Sequence, residues 1–395
     1  MKKGIKIIII ILSILLLLTG TLFAFSRNID KDANPHILAV TKKQKESIES
    51  IKQIDENGHL YYMEYTADYN AGIPALFRKI APIASKSSCT SFVTSDIDTK
   101  DVINARNFDT AHLGDDGKTE TMALIIKLKP ENAYASLNMF DVLYYWEINV
   151  KYHPGYLNNG KFDNSLLLLA PLICMDGINE KGVSVSIMTV DIKEGETPTR
   201  QNEKGKTKTM ATLLLRDILD HCANCDEAIK LAQESNVFNL LGNDFHLLVC
   251  DESGRSIVLE WRYDKLNVIE TDCSTNFFLG SDDAEDCYYD EGTYLKEAFP
   301  GKADVSYPYH WGYGHGYERF NTVVSKLDKA QVNNYKTRTA LKYEEIVQLL
   351  QDVKQIYKSG HDSDTQYSVI YNNTAKSLRV YPNKEYNKYY EYTIK

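Results

Sequence analysis

Ser87-Ser88-Cys89-Thr90-Ser91-Phe92-Val93 begins one β-rich run of this chain, and a second run ends in Ala105-Arg106-Asn107-Phe108-Asp109. Polar turn residues lie between the two runs and predict a β-hairpin whose turn falls near Asp98 or Thr99. In that register Cys89 lies opposite Phe108. The cysteine and the end of the second run therefore meet at one end of the hairpin.

The side chains brought together there are typical of a nucleophile. Arg106 lies on the same face as the cysteine and diagonal to it, and an adjacent cation lowers a thiol pKa from about 8.5. Asp109 is three residues after Arg106, so strict alternation places the two on opposite faces, unless a bulge intervenes or Asp109 belongs to the following loop. On residue types alone Cys89 also fits a buried free thiol, the commonest state of cysteine.

A resemblance to a known family favours the nucleophile. Cys-Thr-Ser-Phe followed by Ala-Arg-Asn-Phe-Asp resembles the start of the mature chain in the linear amide C–N hydrolases. This N-terminal-nucleophile (Ntn) group contains the choloylglycine (bile-salt) hydrolases, penicillin V acylases and acid ceramidase. Later segments resemble the same family in the same order: Asp176-Gly177-Ile178-Asn179-Glu180-Lys181-Gly182-Val183, Asp251 to Glu260, Ser274-Thr275-Asn276-Phe277, Tyr317-Glu318-Arg319-Phe320 and Thr365 to Tyr371.

The residue pattern predicts an α+β fold, because short β-rich runs surround a central helical stretch. Strands are predicted near 90–95, 102–108, 122–128, 183–190, 246–250, 256–261, 266–270, 367–371 and 377–381. Helices are predicted near 42–54, 207–221, 225–235 and 344–357, the third capped by Asn224 with Glu227. The resemblance further implies the Ntn-hydrolase αββα sandwich, in which two stacked antiparallel sheets lie between helix layers.

The resemblance also implies a role for each catalytic residue. Cys89 is the nucleophile, Arg106 supports it, Asp109 holds its α-amine, Asn276 donates to the oxyanion, and Arg319 organises the network. Arg319 precedes a helical pattern, where a cation gains nothing from the helix dipole, so a buried anionic partner is expected. Neither a metal nor an organic cofactor is expected.

Three residues are expected to bind substrate. Thr189 aligns where bile-salt hydrolases carry a second oxyanion asparagine, and Phe108 and Tyr145 are candidates for an apolar pocket. The implied substrate is a small N-acyl amide. Acyl transfer to an amine acceptor is the rival reaction, and a non-catalytic, membrane-tethered binding protein with the same fold is the rival of another class.

The chain is expected to divide into three parts. Residues 1–26 combine a basic start with an apolar core, which predicts a signal peptide or an N-terminal anchor, with membrane attachment through residues 5–25. Residues 27–88 form a pro-region, in which 57–69 resembles the pro-piece of the acid ceramidase group. Residues 89–395 form the catalytic domain. We therefore expect a secreted or extracytoplasmic enzyme, and self-cleavage between Ser88 and Cys89.

Composition excludes other classes. A net charge of −9 and the lack of a basic stripe argue against nucleic-acid binding. Cys222-Ala223-Asn224-Cys225 is a single C-x-x-C pair, so we interpret both cysteines as packing residues or a disulfide and not as zinc ligands. The glycine-rich stretch 312–316 lacks a phosphate-loop context and predicts a flexible aromatic loop.

Overall fold

The computed structural model describes residues 41–69, 88–114, 117–143, 164–192, 197–239, 243–280, 313–332, 339–357 and 363–395. The expected signal or anchor at 1–26 lies outside these ranges, as does Tyr145. Within them, no helix has the length and apolar character needed to cross a membrane.

The first of two large sheets has nine strands. In spatial order they are β1 (Lys52–Gln53), β2 (Leu60–Tyr65), β5 (Ala123–Leu128), β6 (Ser136–Asp141), β7 (Asp176–Asn179), β8 (Ser184–Asp191), β11 (Asn243–Cys250), β12 (Ser256–Arg262) and β13 (Lys265–Glu270). Among the described strands of this sheet only β2 and β5 pair in parallel, and every other neighbouring pair is antiparallel.

The second sheet contains the hairpin. Its order is β15 (Gln331–Val332), β16 (Thr339–Leu341), β3 (Ser88–Asp96), β4 (Val102–Asp109), β17 (Thr365–Asn372), β18 (Ser377–Pro382) and β19 (Tyr390–Thr393), with β14 (Cys273–Ser274) also paired to β3. Cys89 lies opposite Phe108, so the register predicted for the hairpin is confirmed.

Helices cover the outer face of each sheet. The helices are α1 (Lys42–Glu49), α2 (Ala211–His221), α3 (Cys225–Gln233), α4 (Tyr313–Asp328) and α5 (Tyr343–Asp352), and a 3₁₀ helix spans Asn164–Leu172. On β4, Asn107 donates to the carbonyl of Leu350 in α5, whereas its neighbour Arg106 donates to the carbonyl of Met175, just before β7. One face of β4 thus packs on helix and the other on the first sheet. The predicted α+β sandwich of two stacked sheets between helices is confirmed.

The predicted strands are all present, and the predicted helices differ mainly at their ends. The helix predicted from residue 207 begins at Ala211, because Thr207–Thr209 forms β9, which pairs in parallel with β10 (Ser235–Val237). The cap of α3 is confirmed, since the Asn224 side chain accepts from the Glu227 N–H at 2.9 Å. Cys222 and Cys225 are buried free thiols and act in packing.

The prediction of a loop at 312–316 is wrong for residues 313–316, which form the start of α4. The glycines there lower helix propensity, but at least one of them serves close packing. A Cβ on Gly316 would lie 3.4 Å from the backbone nitrogen of Asn276. Residue 316 of α4 therefore packs at van der Waals distance against the segment that carries Asn276.

Residues 41–69, which lie in the expected pro-region, contribute two strands to the first sheet. Helix α1 is capped by Thr41, whose hydroxyl accepts from the Gln44 N–H at 3.2 Å. It ends at Glu49, before the residue 54 expected from the sequence. Strand β2, which the residue pattern did not predict, is almost entirely buried and pairs with β5 along its whole length.

Candidate active site

Asp109 lies within strand β4 and pairs with Ser88, so it does not belong to the following loop. The irregularity lies instead on the neighbouring strand, where the register shifts between Thr365 and Tyr367. Through it Thr365 reaches Asp109 and donates its hydroxyl to Oδ1 at 2.6 Å. Asp109 and Arg106 consequently contact different layers of the sandwich, as strict alternation requires.

Arg106 is fully buried beside the cysteine. Its Nη2 lies 3.3 Å from Cys89 Sγ, its Nη1 donates to the Met175 carbonyl at 3.1 Å, and its Nε lies 3.1 Å from Asp176 Oδ2. The guanidinium is thus held between a thiol and a carboxylate. A fixed cation at this position stabilises negative charge on the sulfur.

Asp176 is a site residue that the sequence analysis did not assign. Its carboxylate is fully buried, and it accepts hydrogen bonds from Tyr371 and, at 2.7 Å, from Tyr367. Burial raises the pKa of Asp176, and the adjacent Arg106 opposes that rise. The signal available in the sequence was the buried Arg106, because a charge inside a two-faced strand requires a partner of opposite sign.

The thiol of Cys89 differs from the sequence expectation. Burial raises its pKa, and this effect outweighs Arg106, which lowers the pKa. A backbone N–H bond from Asp109 and the charge of Arg319 also lower it. In the intact chain the thiol is therefore protonated, because the desolvation free energy of a buried thiolate exceeds the stabilisation that the nearby positive charges give it.

Asn276 contacts the backbone of Cys89. Its Oδ1 accepts from the Cys89 nitrogen at 2.6 Å and from Arg319 Nη2 at 2.9 Å. Its Nδ2 donates to the carbonyl of Thr189 at 2.8 Å. The structure thus brings Asn276, Thr189 and Arg319 together at the first residue of the expected catalytic domain.

Arg319 lies in the second turn of α4, because that helix begins earlier than the sequence predicted. It is buried and donates to the Cys89 carbonyl and, at 2.6 Å, to Thr90 Oγ1. Its Nη1 lies 3.8 Å from Asp109 Oδ2, which supplies the expected buried anion. Burial lowers the pKa of Arg319, while the nearby carboxylate opposes that change.

Asp109 keeps one oxygen without a hydrogen-bond partner among the described residues, Oδ2, and it is fully buried. Desolvation raises its pKa to about 7, although Arg319 and the Thr365 hydroxyl act in the opposite direction. The carboxyl is therefore ready to accept a further hydrogen bond or a neighbouring positive charge.

The predicted substrate-binding residues occupy different environments. Phe108 is buried, stacks on Tyr367 with ring centroids 5.3 Å apart, and lies under the guanidinium of Arg106 at 5.5 Å. The Phe108 ring therefore packs against one face of the Arg106 guanidinium. Thr189 approaches the site through its main chain, and Tyr145 lies outside the described residues. In the described part of the chain, no group of three His, Cys, Asp or Glu side chains is arranged to hold a metal.

A match to a known family covers the part of the chain that carries Cys89, Arg106, Asp109 and Asn276. Residues 89–276 match the family model of the linear amide C–N hydrolases, choloylglycine hydrolase family. These residues belong to that family. The match begins at Cys89 and ends at Asn276, the two residues joined by the 2.6 Å hydrogen bond. The protein is accordingly a hydrolase of linear amides.

Solved structures similar to this amide hydrolase include two variants of a conjugated bile acid hydrolase from Clostridium perfringens. The variant with a cysteine replaced by alanine is 17% identical with a TM-score of 0.47, and the similarity covers 77% of this chain and 96% of that one. The variant with an arginine replaced by leucine is 16% identical with a TM-score of 0.47, covering 78% and 92%. Penicillin V acylase from Agrobacterium tumefaciens is 13% identical with a TM-score of 0.43, covering 74% and 83%. No curated protein matches the sequence significantly.

Proposed function

We propose that this protein is an exported Ntn hydrolase that cleaves an N-acyl amide through a thioester on Cys89, after the chain breaks between Ser88 and Cys89. The observation that carries the proposal is the position of the cysteine's two reactive atoms. Its nitrogen contacts Asn276 Oδ1 at 2.6 Å, and its sulfur lies 3.3 Å from the Arg106 guanidinium. A nucleophile and its own amine, each beside a polar partner, are what this chemistry requires.

The reaction uses the α-amine of Cys89 as its base. With a reference pKa of about 7.7–8, the amine accepts the thiol proton at neutral pH. The thiolate attacks the amide carbonyl carbon, and the oxyanion is stabilised by Asn276. Collapse of the intermediate breaks the C–N bond, and the ammonium returns its proton to the leaving nitrogen. Water then hydrolyses the thioester, which releases the acid and restores the thiol.

The environment of Asp109 supports this role for the amine. Its buried Oδ2 lacks a hydrogen-bond partner among the described residues, and its strand partner is Ser88, directly before the cysteine. In the intact chain the Cys89 nitrogen is a peptide N–H, and its hydrogen bond goes to Asn276. An ammonium formed by cleavage has further hydrogens, and the carboxylate of Asp109 would accept one of them.

Cleavage itself follows from the same thiol. Sγ of Cys89 attacks the carbonyl carbon of Ser88, the thiol proton passes to the Cys89 nitrogen as the C–N bond breaks, and a thioester joins Ser88 to the sulfur. Water hydrolyses that thioester, leaving a carboxylate on Ser88 and the free amine on Cys89. The raised thiol pKa in the intact chain supports a latent precursor, since neither the base nor the thiolate exists before the break.

The severed segment would remain bound to the catalytic domain. Strand β2 is a buried member of the first sheet, and Tyr69 donates its hydroxyl to Asp220 in α2. Asp220 is in turn 2.7 Å from Arg216 Nη2, so the tyrosine contacts a buried ion pair. This retention agrees with the resemblance of 57–69 to the acid ceramidase pro-piece, and makes the mature enzyme a two-chain complex.

The substrate test is mass spectrometry of the purified mature protein with a panel of N-acyl amides, including bile acid conjugates, penicillin V and N-acyl amino acids. Hydrolysis of at least one amide by the wild type, and none by Cys89→Ala, is the expected result. Repeating the assay with added amines separates acyl transfer from hydrolysis. An equally active Cys89→Ala would exclude the thioester mechanism.

A further inference from the structure

The segment that carries Asn276 has little backbone support of its own. Strand β14, Cys273–Ser274, pairs with two residues of β3, and 275–280 form no strand. Among the described residues, the hydrogen bonds that hold 275–280 in place each involve a side chain. Two buried residues of the first sheet, His246 and Glu260, provide several of these contacts, and neither takes part in the mechanism above.

Glu260 holds the far side of the segment. Its Oε2 accepts from the Leu279 N–H at 2.8 Å, and its Oε1 accepts from the Gly280 N–H at 3.0 Å. The carboxylate is fully buried on β12. Hydrogen bonds from backbone N–H groups to a carboxylate are among the stronger ones in proteins, so this contact anchors residues 279–280 to the sheet.

His246 holds the near side. Its Nε2 lies 2.7 Å from the Thr275 carbonyl and 3.0 Å from Ser274 Oγ, and its Nδ1 lies 3.2 Å from Glu260 Oε2. The Thr275 carbonyl can only accept, so Nε2 is the donor in that hydrogen bond. The ring thereby links the peptide directly before Asn276 to the anchoring carboxylate.

The other side of the same segment contacts α4. Thr275 donates its hydroxyl to the Gly316 carbonyl at 2.8 Å, one turn before Arg319. The segment is thus clamped between the first sheet and the helix that carries Arg319. Displacing either support would move the Asn276 amide relative to the Cys89 nitrogen.

We infer that His246 and Glu260 are positioning residues of the amide hydrolase, which set the location of Asn276 through Thr275, Leu279 and Gly280. This inference rests on the proposed function, in which Asn276 stabilises the oxyanion. Because a misplacement of about 1 Å can cost about 100-fold in rate, the dyad controls turnover without touching substrate.

The test compares kcat and KM of His246→Gln and Glu260→Gln with those of the wild type, on protein whose N-terminus is verified as Cys89. Each kcat should fall by about 10- to 100-fold while KM changes less than about threefold. His246→Ala should be worse than His246→Gln, whose amide can still donate to Thr275. A kcat within about twofold of wild type in both glutamine variants overturns the inference. If the isosteric variant Glu260→Gln unfolds, the inference is also overturned, because His246 and Glu260 would then serve to stabilise the fold.

A matched control separates positioning from general destabilisation. Asn373 is also fully buried and donates to the carbonyls of Gly182 and Cys250 at 2.9 and 3.0 Å. Its own N–H donates to Val102, which lies six residues, or about 20 Å, along β4 from the partner of Cys89. Asn373→Ala should lower the melting temperature but leave kcat near wild type. If Asn373→Ala lowers kcat as much as the glutamine variants do, the inference fails.

A double-mutant cycle shows whether the dyad acts through Asn276. Adding His246→Gln to Asn276→Ala should cause no further loss in kcat, because the group being positioned is already absent. If the losses in kcat of the two single variants multiply in the double variant, the positioning inference is wrong, whereas the proposed role of Asn276 is unaffected. If Asn276→Ala by itself leaves kcat unchanged, the proposed catalytic role fails and the inference fails with it.

Discussion

The backbone nitrogen of Cys89 donates to the side-chain oxygen of Asn276 across 2.6 Å. In the intact chain that nitrogen belongs to a peptide bond and cannot act as a base. Cleavage before Cys89 would convert the same atom into an amine without moving it. In the proposed mechanism, the neighbours of the amine are therefore already in place in the intact chain, before the Ser88–Cys89 bond breaks.

Cys89→Ala should remain full length and inactive, because it removes the group that attacks both the Ser88 carbonyl and the substrate. Intact mass and N-terminal sequencing of the wild type should find a chain that begins at Cys89. Cys273→Ala is the control, since that thiol is also buried but has no role in the mechanism. Full activity from an uncleaved wild-type chain would refute the Ntn assignment.

Asn276→Ala should lower kcat by roughly two to three decades, which is the usual cost of removing an oxyanion donor. Thr189→Ala should matter less, because the contact between the two residues uses the Thr189 carbonyl, which alanine retains. Steady-state kinetics on processed protein measures both effects. A greater loss from Thr189→Ala would mean that the roles are reversed.

Arg319→Lys should be nearly as harmful as Arg319→Ala. The two terminal nitrogens of Arg319 contact Thr90 and Asn276 at the same time, and a lysine ammonium cannot reproduce that fork. Each variant should lose at least about tenfold in kcat, since a charged hydrogen bond contributes about 1.5–3 kcal/mol. Arg255→Lys, at a partly exposed ion pair with Glu270, should remain near wild type. Near-full activity of Arg319→Lys would indicate that only the charge is needed.

The uncleaved precursor should lose stability as pH rises from about 4 to about 7. Burial raises the pKa of Asp109 from 3.8 to about 7, so between these values the folded chain binds a proton that the unfolded chain has released. The stabilising contribution is complete below the unfolded pKa and is lost as pH rises through the folded pKa. Denaturant unfolding of Cys89→Ala, with and without Asp109→Asn, should show a steeper fall when Asp109 is present. Parallel pH curves would contradict the raised pKa.

The severed pro-segment should co-elute with the catalytic chain in native size-exclusion chromatography and separate only on denaturation. Tyr69→Phe should lower the temperature at which the two pieces part, because it removes the hydroxyl that reaches the buried Asp220. Lys43→Ala, which removes an exposed contact to Glu131 across the same boundary, should have little effect. Separation of the wild-type pieces under native conditions would exclude a two-chain enzyme.

The hairpin could be predicted because all of its signals are local. Alternation and turn spacing determine which residues of β3 and β4 are opposite, and they place Cys89 and Phe108 correctly. The contacts of Arg106 with Asp176 could not be derived in this way, since the two are far apart in sequence and no local pattern relates them. The resemblance to the family includes both the segment with Arg106 and the segment with Asp176, but it did not predict the ion pair between these residues.

The raised pKa of the Cys89 thiol could not be predicted for a related reason. Spacing predicted the nearby cation, but the cost of desolvation depends on how completely β3 is covered by both neighbouring layers. Every residue of β3 is buried. The start of α4 could not be predicted because its glycines disfavour a helix in isolation, whereas its contacts with the Asn276 segment, such as the Thr275 hydroxyl on the Gly316 carbonyl, are distant in sequence.

The parallel pairing of β2 with β5 has a consequence for assembly. While the chain is continuous, the ladder closes within one molecule, so its formation does not depend on protein concentration. After a break before Cys89 the same ladder would join two molecules, whose encounter becomes rarer on dilution. The protein would then fold as a single chain before the break. After the two pieces of the mature enzyme have separated, they could restore the same sheet only by a bimolecular association.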